Sequence, residues 1–352
     1  ITFPTGAGIH TIYIEGTFPK FYFNNAGDKD KITSIDTWGD ITYSLNQQSA
    51  FYGCTNLSTL ADDINWINSV TNGNSMFRDN SLTTLPSVMT LASLTNGNNM
   101  FLYNSLTSLP SGVVLSSLTE GTSMFFGNGL TSLPSGMMLG GLITGGGMFY
   151  QNNLTTLPSG MTLASLTNGS SMFFQNSLTS LPSTMTLASL SNGSYMFFQN
   201  SLTTLPSAMT LASLTNGNSM FHSNSLTALP SGMSLGNLTI GDGFFHSNPI
   251  TTLPSVMTLN SLPRGTNMFY NNSLTDLPSG MTLASLTSGG NMFSGNTINT
   301  TRYSQLLVDL ESDNPNDGVT FHGGNSEYNT TGETARDALI VRTWTITDGG
   351  LE

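Results

Sequence analysis

From Asn80 to Asn296 the chain repeats one 24-residue phrase without a single insertion. The pair Met76-Phe77 returns as Met100-Phe101 and at every twenty-fourth residue to Met292-Phe293, with Phe244-Phe245 filling one place. Asn80, Gly73, Leu85, Leu91 and Leu94 head columns that are equally strict, and a second Met column begins at Met89, with Val113 in one place. A constant period of this length means stacked units, none of which can bury its apolar side chains alone. Twenty-four residues are too few for two helices and their turns. They suit a coil with one short strand and irregular segments, so the expectation is a mainly-β solenoid in which like residues form ladders about 4.8 Å apart.

Each column then has an expected task. The Asn side chain both donates and accepts, so it can bridge backbone groups that a turn leaves unpaired. The Gly column is expected at a tight corner with positive φ. Pro86 and its equivalents end the short strand. Cys54, in "FYGCTNL", occupies the Asn slot of a degenerate first unit and reads as a structural thiol, with no second cysteine for a disulfide or a metal set.

Composition narrows the function. Charged residues make up 8% of the chain, against about 25% in an ordinary domain, and none falls between Glu120 and Asp242. The net charge of -12, with only eight Lys and Arg, excludes the basic footprint that nucleic acid or an anionic membrane surface requires. The sequence contains no apolar run of about 18 residues, so no membrane insertion is expected. The chain begins at Ile1 rather than Met, and a processed or trimmed start is expected.

Three segments are expected. Residues 1–50, with alternating "HTIYIEGTF" and "KFYFN", read as a β-rich N-terminal cap. Residues 51–299 form the repeat array. Residues 300–352 read as an α/β cap: "RYSQLLVDLESD" has helical spacing at Leu306, Leu307 and Leu310, "TGETARDALIVR" opens with a weak capping box at Thr331 and Thr334, and "TWTITDGG" reads as a strand.

The columns "LTSLP", "MFFQNSL" and the end segments "FYFNNAGDKDKITSIDTWGDI", "AFYGCTNLSTL" and "TARDALIVRTWTITDGG" resemble the BspA-like leucine-rich repeats of bacterial surface proteins. That resemblance covers most of the chain. It implies a right-handed, curved leucine-rich repeat β-solenoid displayed outside the cell, as in surface adhesins and phage tail or fibre proteins, and a role in binding rather than catalysis. The chain departs from the family in carrying Asn where the family carries Cys, and in the near-identity of its units, which offer a periodic surface rather than a tailored one.

Candidate chemistry is sparse. The four acids of the array, Asp79, Glu120, Asp242 and Asp276, are scattered over many units, and no spacing suggests a nucleophile triad, a P-loop or paired carboxylates. Asp62-Asp63 and the final "DGG" read as turn or cap residues. No catalytic residue, metal or cofactor is expected. The array stops being uniform at the residue after Met-Phe, which includes Tyr150, Phe174, Phe198, His222, His246 and Tyr270, beside Gln151, Gln175 and Gln199. Aromatic rings against sugar C–H faces and amides against hydroxyls would suit a glycan groove. The same rings can instead serve only to stabilise the stack, at about 0.5–1.5 kcal/mol per pair. His222 and His246 are too few for a zinc site but could respond to pH as a pair. Thr83 and its equivalents to Thr275, with an unbroken Ser87 column, raise an ice-binding face, although Thr-x-Thr spacing occurs in few units.

The leading expectation is thus a non-catalytic adhesion or receptor-binding module on a cell surface or virion, whose partner is a surface glycan or surface protein. The alternative is an architectural spacer, decoration or filament subunit whose partners are copies of itself. An ice-binding protein comes third.

Overall fold

The computed structural model describes residues 8–16 and 18–352. Its regular elements are few and short. Strands β1 (Ser34–Ile35), β2 (Thr59–Leu60) and β3 (Ser288–Gly289) precede helix α1 (Thr300–Asp313), and β4 (Thr320–His322), β5 (Glu327–Tyr328), helix α2 (Thr330–Val341), β6 (Thr345–Thr347) and β7 (Gly350–Leu351) complete the order. The strands gather into three small parallel sheets, ordered β1-β2, β3-β4-β6 and β5-β7, none of which closes or curls. This overturns the expected mainly-β, right-handed, curved leucine-rich repeat β-solenoid. Within the repeat array neighbouring units meet mainly through isolated parallel bridges, one running from Asn46 to Asn72, Asn96 and Glu120 and on to Arg264 and Ser288.

The reason lies in the backbone on either side of Met-Phe. Ser171 and Gln175 both adopt left-handed φ, of 56° and 53°, and the equivalent residues of the other units do the same. Such residues interrupt any extended run. The segment becomes two successive tight turns, in which Met172 N–H donates to Gly169 O at 3.0 Å and Phe174 N–H to Ser171 O at 3.2 Å. The alternate amides reach the next unit instead: Gly169 N–H to Asn192 O, Ser171 N–H to Ser194 O, Phe173 N–H to Met196 O and Gln175 N–H to Phe198 O, at 2.8–3.0 Å. Beyond the Asn the direction reverses, with Ser177 N–H donating back to Leu154 O at 2.9 Å. Turns inside each unit and hydrogen bonds between units therefore replace a strand ladder. Pro182 terminates no strand; its carbonyl accepts from Met185 N–H at 2.9 Å in a further turn.

The Gly column does not supply positive φ either. A Cβ at Gly193 would lie 2.9 Å from Sδ of Met220 and 3.0 Å from Leu190. Glycine is required there because the methionine of the following unit occupies the space. At Gly217 the intruder is the ring of Phe244, the one residue of that column that is not Met.

The Asn column does what its chemistry suggests. Asn176 is buried. Its Nδ2 donates to Phe149 O at 2.9 Å and Phe173 O at 3.2 Å, while Oδ1 accepts from Leu154 N–H at 3.0 Å. At the last unit Ser326 takes over, its Oγ accepting from Ile298 N–H at 2.9 Å. At the first unit one extra residue lies between Cys54 and Leu57, relative to Asn80 and Leu82. Leu57 N–H turns back to Cys54 O, and Asn80 Oδ1 is left buried without a partner.

Inside the array the Phe rings of the Met-Phe pairs lie flat on one another. Phe125, Phe149 and Phe173 have centroids 5.6 Å and 5.5 Å apart and planes within 10°. At one end Phe21, Phe23 and Trp38 pack on Phe51. At the other Phe321 of β4 meets Phe293. The alternating segments expected as strands form none: residues 10–16 and 20–24 are irregular, and the first seven residues of the expected N-terminal cap, with Thr17, lie outside the described residues. Helix α1 is capped by Asn299, and α2 by Asn329, whose side chain accepts from Thr331 and Gly332 N–H. The expected Thr331 box is thereby displaced by two residues. Strand β6 falls within the expected "TWTITDGG" strand.

Candidate functional site

Apart from the buried Leu102, the residue following Met-Phe lies at the rim of the core, neither fully buried nor fully exposed. Tyr150, Phe174, Phe198, His222, His246 and Tyr270 form one continuous row there. Phe126, Tyr150 and Phe174 stack in parallel, with centroids 4.5 Å and 4.6 Å apart and planes within 5°. Beyond Phe174 the row changes character. Phe198 stands at 62° to Phe174 and 60° to His222, at 4.8 Å and 4.5 Å. His222 and His246 follow at 4.0 Å, and His246 and Tyr270 return towards parallel at 4.7 Å.

Gln151, Gln175 and Gln199 stand beside this row, exposed, as an amide ladder: Nε2 of each donates to Oε1 of the next at 3.1 Å and 3.0 Å. Their left-handed backbone, with φ of 53°, turns each side chain out of the turn and into register with its neighbour. The two expected groups, rings and amides, are thus brought together along one edge of the array.

The row is uncharged. Burial draws His222 down to about 4, with the neighbouring His246 charge acting in the same direction. Burial lowers His246 as well, and its Nδ1 lies 2.8 Å from the Ser247 hydroxyl. Both imidazoles are therefore neutral at neutral pH, and two rings with no carboxylate or thiol beside them supply no metal set. Among the described residues no group of three or more His, Cys, Asp or Glu could hold a metal ion.

One contributor was missed. Tyr195 lies just before Met196, in a column whose other members are Ser75, Asn99, Ser123, Gly147, Ser171, Ser219, Gly243, Asn267 and Asn291. All ten have left-handed φ, and Tyr195 has 58°. Serine, asparagine and glycine tolerate that region, whereas a bulky side chain there costs roughly 1 kcal/mol. Tyr195 is 37% exposed and packs against the row, 6.2 Å from Phe174 and 5.8 Å from Phe198. The signal was present in the sequence as the single large residue of a small-residue column.

The remaining candidates have structural partners. Cys54 is buried, and burial pushes its thiol up to about 12. Asp63 accepts from the Thr37 hydroxyl and from Trp38 and Gly39 N–H; burial opposes ionisation, but these bonds outweigh it and hold the carboxyl below its usual range. Asp62 accepts from Ser87 N–H. Asp348 of the final "DGG" holds Arg336 Nε at 2.8 Å and the Tyr303 hydroxyl at 3.0 Å. In the array Arg78 faces Asp79, Glu120 accepts from Asn96 and Asn98, Asp242 pairs with Arg264, and Asp276 accepts from Asn299.

Two Thr columns behave differently. Hydroxyls of the column containing Thr95, Thr119, Thr215 and Thr239 donate to a carbonyl of the preceding unit at 2.9–3.1 Å. The column from Thr83 to Thr275 is exposed, and among its hydroxyls that of Thr203 alone makes an intramolecular bond, at 3.5 Å.

No helix among the described residues is long and apolar enough to cross a membrane. No family model matches the chain, and no curated protein matches it.

Proposed function

We propose that the chain is a non-catalytic binding module, displayed outside the cell or on a virion, that recognises surface glycans along the row from Tyr150 to Tyr270. The observation carrying this reading is the pairing of a half-exposed aromatic row with an exposed amide ladder, the ladder and the row as far as His222 lying in the stretch between Glu120 and Asp242 that has no formal charge. Rings supply apolar contact for sugar C–H faces and amides supply both donors and acceptors for hydroxyls. The resemblance of the repeat to BspA-like surface proteins points the same way.

The test is a glycan array with the purified protein and its Tyr150/Phe174/Phe198→Leu triple variant. Leucine already fills this column at Leu102, where it is 5% exposed, so the variant keeps the packing and removes the rings. Binding by the parent that the variant loses supports the proposal; equal binding by both removes the row from it.

The second reading is architectural, and one observation favours it. Tyr150 has a parallel ring on each side, and each glutamine of the ladder is bonded to a neighbour, so much of the row is satisfied without a ligand. A protein that binds no glycan but assembles into ordered fibres or sheets, seen by electron microscopy, would establish this alternative.

A further inference from the structure

We infer that Tyr195 and Phe198, with Phe174, form a sugar-binding corner specific for a neutral polysaccharide, at the point where the ring stack breaks. The inference rests on the proposed glycan-binding reading and locates its specificity.

Three observations carry it. The first is the break itself. Up to Phe174 the rings are parallel, so each covers its neighbour's face and offers solvent little beyond an edge. Phe198 has three ring neighbours, Phe174, Tyr195 and His222, at 62°, 87° and 60°. None is parallel to it. Phe174 has Tyr150 at 4° and Tyr195 at 27°, but the edge-on contacts of Phe198 leave its ring without a parallel neighbour, and a sugar ring packs on a face. The second is the substitution. The backbone at position 195 is left-handed, and every other unit fills it with Ser, Asn or Gly. Tyr195 departs from that pattern in the unit where the stack breaks, and places an exposed phenol beside Phe198. Its hydroxyl lies 3.4 Å from Asn218 Nδ2, and Gln175 and Gln199, which follow Phe174 and Phe198 in the chain, are exposed and bonded to each other.

The third is charge. No Lys or Arg lies between Arg78 and Arg264, and no Asp or Glu lies between Glu120 and Asp242. An anionic sugar would meet no cation here and an aminosugar cation no carboxylate, while the net charge of -12 repels acidic polymers. His222, which faces Phe198, and His246 beyond it are neutral at neutral pH. The chemistry fits an uncharged hexose polymer.

Tyr195→Ser is the decisive variant, because it restores the residue type of Ser171 and Ser219 and is expected to be at least as stable as the parent. Binding is measured by isothermal titration against dextran, laminarin and galactomannan, with alginate as the anionic comparison, alongside thermal melting. The expected result is binding to at least one neutral polymer and none to alginate, at least a tenfold loss in Tyr195→Ser, and retention in Tyr195→Phe, which keeps the ring. Binding of a neutral polymer that Tyr195→Ser leaves intact, but that the triple leucine variant abolishes, would overturn the corner while sparing the proposed function. Preference for alginate would overturn the neutral specificity. Failure to bind any of the polymers would overturn the corner, and the glycan array then decides the broader reading separately.

Discussion

Asn176→Ala tests how the array is held together, and the hydrogen bonds set the size of the effect. Asn176 makes four bonds to backbone, the weakest to Phe174 O at 3.4 Å, and they are not equivalent. Phe149 O also accepts from Asn152 Nδ2 at 3.2 Å, and Phe173 O also accepts from Asn200 Nδ2 at 2.9 Å. Removing Asn176 leaves both carbonyls with a partner. Leu154 N–H has Asn176 Oδ1 alone, so the substitution orphans one buried donor, worth about 1–3 kcal/mol, and deletes two shared bonds worth about 0.5–1.5 kcal/mol each. The expected loss is about 2–6 kcal/mol. Asn80 is an internal control of similar burial, at 7% against 9% exposed. Its Nδ2 donates to Phe51 O and Arg78 O, but its Oδ1 accepts nothing. Asn80→Ala therefore orphans no N–H and should lose less, about 1–3 kcal/mol. Urea unfolding of the two variants measures the difference. Because long repeat arrays can depart from all-or-none unfolding, hydrogen exchange of the Leu154 amide supplies a local readout, and its protection should fall in Asn176→Ala. Equal losses in the two variants, or unchanged protection at Leu154, would refute the assignment of the orphaned donor.

Further outcomes follow from the packing and from titration. Gly217→Ala should lose about 1–3 kcal/mol by forcing its Cβ against the Phe244 ring, and Phe244→Met should recover part of it; a melting temperature as unaffected as that of Gly160→Ala, where nothing lies near the new Cβ, would contradict this. His222 is held at about 4 in the folded chain, below its unfolded value of about 6.5. The unfolded chain then takes up the proton more readily, so the stability His222 contributes is full above about pH 6.5 and is lost as pH falls through about 4. His222→Phe should flatten the melting-temperature profile over that window, with a residual slope from His246 and His322, which burial also lowers; superimposable profiles would exclude His222 as the source. Asp348→Asn should cost about 3–5 kcal/mol, because the Asp348 side chain is 3% exposed and its loss strands Arg336; Tyr303→Phe, which breaks one neutral-donor bond to the same carboxylate, should be milder in the same melting assay.

Much of the architecture was written in the period, and some of it was not. A fixed spacing of Met-Phe, Leu and Asn requires that like residues meet, and the succession of ring contacts from Phe77 to Phe293 follows from that alone. The Asn assignment was equally legible, because an amide is a side chain able to donate to two carbonyls and accept from an amide N–H at once. Strand content was not legible. A period states that units are neighbours but not whether they pair through extended runs or through turns, and the left-handed residues that decide it, such as Ser171 and Gln175, belong to types that occupy many conformations. The Gly column misled for a related reason. Glycine answers both to positive φ and to want of space, and only the position of Met220 against Gly193 separates the two. The outer row was legible as a departure from uniformity, but its parallel stacking, and hence which faces remain open, depends on side-chain angles that no spacing encodes.

The same logic explains why interest concentrates on one corner of a periodic object. Residues whose task is to hold one unit against the next must be the same in every unit, since each neighbour presents the same carbonyls and the same hole. The Asn, Leu and Phe columns meet that condition. A residue free of that task can vary, and the position after Met-Phe varies widely, from Arg78 and Leu102 through the rings to Ser294. Tyr195 is different again. It sits in a column whose other members are all Ser, Asn or Gly, on a left-handed backbone that disfavours a bulky side chain, so its presence works against the local conformational preference rather than merely escaping a constraint. A side chain that disfavours its own backbone, and whose contacts to Phe174 and Asn218 the other nine units do without, is better explained by something outside the array than by the array itself, which is why its replacement by serine should weaken binding without weakening the fold.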